Sequence, residues 1–401
     1  MHSRRISAAL CLLGLWMFIV WSVPGRAQGW PQPPALASPS FMLIDLTTGQ
    51  ALTGRQEDMA VSPGGLTLLM TAYLGFQAIR ERRLSPRQVL PTPAESSIPP
   101  GPRMFLGPEG ASVQDLLTGI LVIGAQDAAL TLALGLAESE AQFVQTMNQT
   151  AARVGMANTR FVNATGAPGP DAQTTARDMA LLAAQLHREF PEAFEKSQLR
   201  SLRFNGILQT NKNRLLWLDR SVDGLFATDF AGLSSGLVTT NRPQPLGPVE
   251  RSQRRLLVVL LEAPNADQRS QETLKLLNFG YQQFDLVRLF SVSHQPLSLP
   301  VYKGVAKALK ASFRQDVKVA VPRGLASQLR LELQHPKGLV APITAGQPVG
   351  LLRVWLGDLE IHRVEVIAAE SIKPAGLLGR AIDSLVLLWQ AHGPQSTPLN
   401  P

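Results

Sequence analysis

The stretch Met59–Ile79 places hydroxyl side chains at the start of an apolar helix, an arrangement that suits acyl transfer. Ser62 is expected to be the N-cap and Pro63 the first helical residue, where proline's missing N–H costs nothing. A serine in such a turn becomes a nucleophile when a lysine three residues later takes its proton. No serine of this chain has a lysine at that spacing, and the turn carries Gly65 followed by Leu68. The sequence therefore predicts the helix without its nucleophile.

Other hydroxyl and imidazole groups give little support for catalysis elsewhere. Thr67 and Thr228 carry hydroxyls without an obvious base, and a nucleophile needs a positioned base or a lowered pKa. A relocated nucleophile stays open as an alternative. His187, near the end of a predicted helix, is expected to be a helix-end cation. The histidines show no ligand spacing, so neither a metal nor a cofactor is expected. They are His2, His187, His294, His335, His362 and His392.

The first 27 residues are typical of a secretory signal peptide. Arg4 and Arg5 precede an apolar run from 8 to 23, and Gly25–Ala27 supplies small residues at a cleavage position. An uncleaved membrane anchor is the alternative, because the run approaches the thickness of a bilayer. The chain's one cysteine, Cys11, falls inside this segment. A cleaved chain would therefore have no disulfide and would depend on its core for stability.

Composition indicates a globular chain of two domains. Its 401 residues are 45% hydrophobic and 17% charged, enough for one large domain and a small one. The net charge is +8, and without the first 27 residues 35 basic and 30 acidic residues leave +5. This surplus suits the anionic surfaces of a cell envelope and does not call for nucleic acid.

Apolar periodicity and turn residues predict an α+β first domain, residues 28–287, and a β-rich second domain, residues 288–372. The predicted first-domain helices after the opening one are Ser112–Ile123, Ala128–Ala137, Glu140–Val154, Thr175–Phe190 and Gln268–Val287. The predicted first-domain strands are Phe41–Asp45, Ala51–Leu52, Leu199–Phe204, Ile207–Gln209, Leu215–Leu218, Leu233–Thr240 and Leu256–Leu261. Val317–Gly324 and Val349–Leu356 represent the second domain. Residues 373–401 are predicted to form an amphipathic helix, Leu377–Trp389, and a tail; the helix either lies in a membrane interface or packs on protein.

Several short phrases of the chain resemble those of one enzyme family. Ser62–Tyr73 is close to S-P-A-S-L-T-K-L-M-T-A-Y, Gly101–Leu106 is close to G-S-R-M-F-L, and Phe161–Gly166 nearly matches a family signature. Ser221–Leu225 reads S-V-D-G-L. On these phrases the chain resembles the D-alanyl-D-alanine carboxypeptidases, the low-molecular-weight penicillin-binding proteins, from Ser40 to Trp389. The resemblance implies a penicillin-binding/β-lactamase-like transpeptidase domain, an antiparallel sheet with helices, followed by a small β-rich domain.

The same resemblance locates the first two catalytic motifs of the family, in which this chain departs from the pattern. In the S-x-x-K frame, Gly65 replaces the nucleophile and Leu68 replaces the lysine. In the S-G-N frame, at a turn between two helices, Gly124, Ala125 and Gln126 stand in sequence. Gln126 keeps an amide, but the proton-relaying hydroxyl is absent.

The third motif, K-T-G, lies in the family on the strand that lines the pocket. Here Phe226, Ala227 and Thr228 follow the S-V-D-G-L phrase. A phenylalanine therefore stands where a cation would meet the substrate carboxylate. Arg255, at a strand start that resembles the family's R-L-I-S-V-V, is a candidate for holding a peptide carboxylate instead.

These departures favour a catalytically inactive homologue that acts in cell-wall metabolism through binding. The alternative is an active D-Ala-D-Ala carboxypeptidase that trims stem peptides through an acyl-enzyme, and a weaker third hypothesis is a muropeptide receptor that uses Gln126 and Arg255. The expected partners are peptidoglycan or muropeptides, other cell-wall enzymes, and the inner-membrane surface through Leu377–Trp389. The expected location is the periplasm, peripheral on the inner membrane.

Overall fold

The computed structural model describes residues 29–94, 97–228, 235–241, 254–292, 297–376, 383–384 and 394–399. The helices are α1 (Thr67–Arg80), α2 (Val113–Ile123), α3 (Gln126–Leu136), α4 (Glu140–Val154), α5 (Ala176–Glu189), α6 (Glu192–Ser197), α7 (Leu215–Leu218) and α8 (Ala266–Gln283). The first-domain strands are β1 (Ser40–Asp45), β2 (Gln50–Arg55), β3 (Val89–Leu90), β4 (Ala111–Ser112), β5 (Ser201–Phe204), β6 (Ile207–Thr210), β7 (Val222–Thr228), β8 (Ser235–Asn241) and β9 (Leu256–Ala263). The remaining strands are β10 (Phe284–Phe290), β11 (Leu297–Tyr302), β12 (Ala308–Ser312), β13 (Val317–Pro322), β14 (Leu329–Pro336), β15 (Leu339–Val340), β16 (Pro348–Leu356), β17 (Leu359–Ala368) and β18 (Pro394–Leu399).

The first domain is built on an antiparallel five-stranded sheet in the order β2-β1-β9-β8-β7. Side chains alternate along each strand between two apolar clusters. Met42 and Val259 face the cluster that holds α1 to α5, whereas Leu43 and Val258 face the cluster that holds α8. The sheet is therefore covered on both faces, which confirms the α+β architecture.

Helix α1 begins later than the sequence predicts. A 3-10 turn, Gly64–Leu66, precedes it, and the N-cap position of that turn is Pro63, without a side-chain cap bond. The prediction of Ser62 as N-cap was wrong, since the cap position is one residue later and Gly64, the first residue of the turn, adopts φ +48. Every residue from 63 to 78 is buried, so α1 runs through the core of the domain.

Two elements differ in type from their prediction, one beside a local turn contact and one through a long-range strand pairing. Leu215–Leu218 forms the helical turn α7 in place of a strand, with Asn213 Oδ1 accepting the N–H of Leu215 at 3.1 Å. The last first-domain helix ends at Gln283, and the chain continues as β10, which pairs with β13. The predicted domain boundary at 287/288 therefore falls inside a strand.

The second domain contains a seven-stranded sheet in the order β15-β11-β12-β17-β16-β14-β18. Strand β18 comes from the predicted tail and pairs antiparallel with β14. The predicted helix Leu377–Trp389 lies outside the described residues except for Asp383 and Ser384, and the predicted signal peptide lies outside them entirely. Among the described residues, no helix combines the length and the apolar character needed to cross a membrane.

Buried polar groups join the two domains. The side chain of Gln50 donates to the carbonyl oxygens of Ala320 at 3.2 Å and Ile361 at 3.1 Å, and accepts the N–H of Ala320 at 2.6 Å. Nearby, the fully buried Arg254 donates to Asp45 at 2.6 Å. These bonds satisfy both ends of the Gln50 amide and part of the Arg254 guanidinium, whose Nη2 has no hydrogen-bond partner among the described residues.

Candidate functional site

The turn Gly64–Leu66, at the first motif position, is buried and apolar. Gly65 contributes no side chain, and Leu68, one turn further on, is only 1% exposed. Leu68 belongs to the apolar cluster formed by α1 to α5 and one face of the sheet. An ammonium group at this position would need charged or polar partners, because an unpaired buried charge is strongly disfavoured.

Backbone packing holds this turn in place. A Cβ at Gly166 would lie 1.9 Å from the carbonyl oxygen of Gly64, so only glycine allows this approach. Asn163 Oδ1 accepts the N–H of Gly166 at 2.6 Å, and Thr71 Oγ1 donates to the carbonyl oxygen of Ala164 at 2.6 Å. The Phe161–Gly166 phrase therefore acts as a brace for the turn.

The second motif position lies at the junction of α2 and α3, as predicted. Gly124 ends α2 in the left-handed conformation, φ 71 and ψ 38, and Ala125 is the N-cap residue of α3. Gln126 is 1% exposed, and its N–H donates to the carbonyl oxygen of Pro102 at 2.8 Å. Its Oε1 is buried and has no hydrogen-bond partner among the described residues. An unsatisfied buried polar atom costs about 1–3 kcal/mol, so this amide is a candidate contact for a ligand.

Asp127 orders the segment beside this junction, a role that the sequence analysis did not recognise. Its buried carboxylate accepts the N–H of Met104 at 2.9 Å and that of Leu106 at 3.2 Å. Phe105, between them, is held at φ 60 and is 56% exposed. The only sequence signal for this contact was an acidic residue in the first turn of α3, which is equally typical of an ordinary helix start.

The third motif position lies on β7, the last strand of the sheet in the described chain. Phe226, Ala227 and Thr228 pair with Val238, Leu237 and Gly236 of β8, in that order. The side chains of 226–228 lie outside the described ones. The Gly64–Leu66 turn packs against both β7 and β8, so the first and third motif positions come together. An edge strand here leaves backbone groups that could pair with an extended peptide.

Arg255 is located in a separate cluster. Its guanidinium donates to Thr240 Oγ1 at 3.2 Å, and its central carbon lies 5.8 Å from the centre of the Phe194 ring. Four strand positions, about 13 Å, separate Thr240 from Gly236, which faces the turn. A ligand held at the turn would therefore reach Arg255 only by extending along β8.

His187 lies beside Arg255 and is not the predicted helix-end cation. Burial, together with the charge of Arg255, lowers the pKa of His187 from 6.5 to about 4, so the ring is neutral at pH 7. Its Nδ1 has no hydrogen-bond partner among the described residues, and the ring packs edge-on against Phe194. Within the described ranges, no three His, Cys, Asp or Glu side chains are placed to hold a metal ion.

Comparisons with known proteins agree with this architecture. A family model described as D-alanyl-D-alanine carboxypeptidase matches residues 27–246, and one described as penicillin-binding protein 5, C-terminal domain, matches residues 284–374. D-alanyl-D-alanine carboxypeptidase DacD of Salmonella typhimurium is 30% identical over 364 residues, which cover 88% of this chain and 91% of that protein. DacA of Escherichia coli is 28% identical over 371 residues, which cover 90% of this chain and 89% of the relative.

A solved structure shows the same fold across both domains. Penicillin-binding protein 5 from Haemophilus influenzae superposes with a TM-score of 0.77 at 26% identity, covering 86% of this chain and 99% of that one. The matched family models together span both domains. The chain belongs to the D-alanyl-D-alanine carboxypeptidase family and carries a penicillin-binding-protein-5-type second domain.

Proposed function

We propose that this chain is a non-acylating member of its family that binds peptidoglycan in the cell envelope. The observation that carries the proposal is the pair Gly65 and Leu68, which puts neither an oxygen nor an amine in the turn where the family is expected to form its acyl-enzyme. In serine hydrolases, removing the catalytic machinery lowers kcat by roughly 10⁶-fold. The losses at the other two motif positions point the same way.

The intact frame around the turn supports retention for binding. Gly166 packs directly on the backbone of Gly64, and Asn163 accepts the N–H of Gly166. Next to the second motif position, Asp127 accepts the N–H of Met104. A packed leucine at 68 avoids the cost of burying a lysine without hydrogen-bonded partners. Loss of chemistry without loss of the frame is therefore the expected pattern for a protein selected to bind.

The proposed ligand is a peptidoglycan stem peptide that ends in D-Ala-D-Ala, the group named in the family's own description. The edge of β7 offers backbone groups to an extended peptide, and the buried amide of Gln126 offers a further contact at the start of α3. Arg255 remains a candidate for a carboxylate only if the peptide extends along β8.

The proposal places the chain in the periplasm, after removal of residues 1–27, with Leu377–Trp389 on the inner-membrane surface. Other cell-wall enzymes are proposed as partners. Fractionation of cells that produce the full chain tests the location: release of the chain with the cytosol would contradict it.

Labelling with a fluorescent penicillin separates this proposal from the second candidate, an active carboxypeptidase, which family membership alone supports. The purified mature chain is expected to show no covalent adduct by mass spectrometry, while the Salmonella typhimurium relative serves as the positive control. An acyl group on any hydroxyl would overturn the proposal. The variants Ser62→Ala and Thr67→Val would then show which hydroxyl had been acylated.

Calorimetric titration with a stem pentapeptide ending in D-Ala-D-Ala tests the binding half of the proposal. The wild-type chain is expected to bind, and Gln126→Leu is expected to weaken binding about tenfold, the scale of one lost hydrogen bond to a buried group. Gln282→Leu, an exposed glutamine on α8, is the matched control and should bind like wild type. No heat at millimolar peptide would contradict this half.

A further inference from the structure

One stretch of the first domain concentrates both exposed apolar side chains and positive charge. Eleven large apolar side chains stand exposed among the described residues, and five of them lie within residues 199–218. These are Leu199, Ile207, Leu208, Trp217 and Leu218. Residues 196–220 also carry six cations, Lys196, Arg200, Arg203, Lys212, Arg214 and Arg220, against the single acid Asp219, a net charge of +5. Clustered exposed apolar groups mark a binding surface more often than scattered ones do. We call the exposed side chains of 196–220, together with Phe105, the cationic surface.

Buried amides make the backbone under the cationic surface rigid. Asn211 Nδ2 donates to the carbonyl oxygens of Ser197 at 3.0 Å and Leu199 at 2.9 Å. Asn213, only 1% exposed, caps the N–H of Leu215. A surface ordered in advance loses less conformational entropy when a partner binds.

Cations and apolar groups alternate across this surface. Arg200 donates to the carbonyl oxygen of Leu216 at 2.8 Å, and its guanidinium lies 5.9 Å from the centre of the Trp217 ring. Arg203 and Leu208 are direct partners across β5 and β6, so both point to the outer face of the hairpin, where both are exposed. A ligand that carries carboxylates and apolar groups side by side would match this pattern.

The cationic surface adjoins the candidate site on two sides. Asn205 Nδ2 donates to the carbonyl oxygen of Phe105 at 3.3 Å, on the segment that Asp127 anchors at the start of α3. At its other end, the N–H of Val222, the first residue of β7, donates to the carbonyl oxygen of Asp219 at 3.1 Å. The surface is therefore continuous with elements that carry the second and third motif positions.

We infer that the cationic surface binds the peptidoglycan polymer outside the stem peptide held at the candidate site. This inference rests on the proposed function. Stem-peptide carboxylates would pair with Arg203 and its neighbouring cations, and sugar faces and alanine methyl groups would lie on Trp217 and Leu208. A second copy of the same surface is a poor occupant, because two faces of like charge repel. The continuity with the site favours more of the same ligand over an unrelated protein.

Co-sedimentation of the full mature chain with purified, insoluble peptidoglycan sacculi tests this inference. The double variant Arg203→Ala/Leu208→Ala is expected to bind about tenfold more weakly, since truncating two central side chains of a binding surface has effects of this size. Raising the salt concentration should weaken the wild type more than the variant, because salt screens exposed charges. The matched control Lys310→Ala/Val305→Ala removes an exposed cation and an exposed valine from the second domain and should bind like wild type. Equal affinity of wild type and surface variant would overturn the inference.

Two further arms separate this inference from the proposed function. Binding of the soluble pentapeptide should be weakened by Gln126→Leu and unchanged by the surface variant. If the pentapeptide binds as expected but wild type and the surface variant bind sacculi equally well, the inference fails and the proposed function stands. If no peptide binds to wild type, the proposed function fails by itself. Surface-dependent binding to phosphatidylglycerol vesicles, with no such effect on sacculi, would also overturn the inference by assigning the surface to lipid.

Discussion

Arg254 and Leu68 occupy equally buried positions in the first domain, yet one is a cation and the other is apolar. The guanidinium of Arg254 donates to Asp45 and, through Nη1, to the carbonyl oxygens of Gly280 at 3.0 Å and Phe284 at 2.8 Å. Leu68 lies at a position where the family resemblance implies a lysine, and its surroundings are apolar. A buried charge is tolerated where it has partners, and an apolar side chain is favoured where it has none. The region around Arg254 supplies partners for a buried charge, whereas the region around Leu68 is apolar.

The largest effect should follow from removing the partner of the retained cation. Asp45→Ala leaves Arg254 buried and uncompensated, so the free energy of unfolding should fall by about 3–5 kcal/mol. Arg214→Ala removes an ion pair with Asp267 in which both side chains are exposed, and should cost less than about 1 kcal/mol. Urea unfolding of both variants measures the difference. Equal losses would mean that burial does not distinguish the two ion pairs.

Placing a lysine at the other buried position should also be costly. Leu68→Lys introduces a buried ammonium into an apolar cluster, at an expected cost of about 3 kcal/mol. Burial lowers the pKa of such a lysine, so the unfolded chain binds the proton more tightly and stability should rise as pH rises toward 10. Leu68→Met keeps the volume and should cost less than about 1.5 kcal/mol. Thermal unfolding of both variants between pH 7 and pH 9.5 checks the sign. A stable, pH-independent lysine variant would indicate that the pocket still offers polar partners.

Local signals made much of this fold predictable. Helix α4 spans the predicted Glu140–Val154, and Thr175 caps α5 by accepting the N–H of Asp178 at 3.1 Å. The elements that failed, α7 and β10, are both short. Helix α7 is a single turn next to a local hydrogen bond from Leu215 to Asn213, and β10 depends on pairing with the distant β13, a contact that no local pattern records. Tertiary context overrides propensity most easily in elements of this length.

In the candidate site, too, the local features were predictable and the long-range contacts were not. The helix junction at Gly124 and Gln126 was predictable from the chain itself, because a left-handed glycine and a new apolar period mark it. The approach of Gly166 to Gly64 was not, since a long-range backbone contact leaves only a glycine in the sequence. The hydrogen bonds of Asp127 to a distant loop were hidden for the same reason.

The contact between Gly166 and the turn at Gly64 gives a third test. It asks whether this backbone contact still contributes to stability. Gly166→Ala would combine the cost of a positive φ, +81, with a backbone clash at Gly64, for an expected loss of about 2–3 kcal/mol. Gly206→Ala has a similar φ, +78, with open space around it, and should lose only about 1 kcal/mol. The difference between the two in urea unfolding isolates the backbone contact. Equal losses of unfolding free energy in the two variants would show that the turn moves away from residue 166 at no cost. The Gly166 contact would then not hold the turn in place.

His187 differs from both Arg254 and Leu68, because it is a largely buried titratable group that stays neutral. It lies near Arg255 and packs against the Phe194 ring. Its pKa is lowered from 6.5 to about 4, so the unfolded chain takes up a proton first as pH falls. Stability that is full above pH 6.5 should therefore decline as pH drops toward 4, by about 1–2 kcal/mol because the ring keeps partial contact with water. His187→Leu should flatten this part of the stability curve measured by urea unfolding at pH 7 and pH 4.5. Arg255→Ala should soften the decline without removing it, because burial is the larger cause of the lowered pKa. If both variants followed the wild-type curve, protonation of other groups would account for the acid sensitivity, and neutrality of His187 would have no part in holding this cluster together.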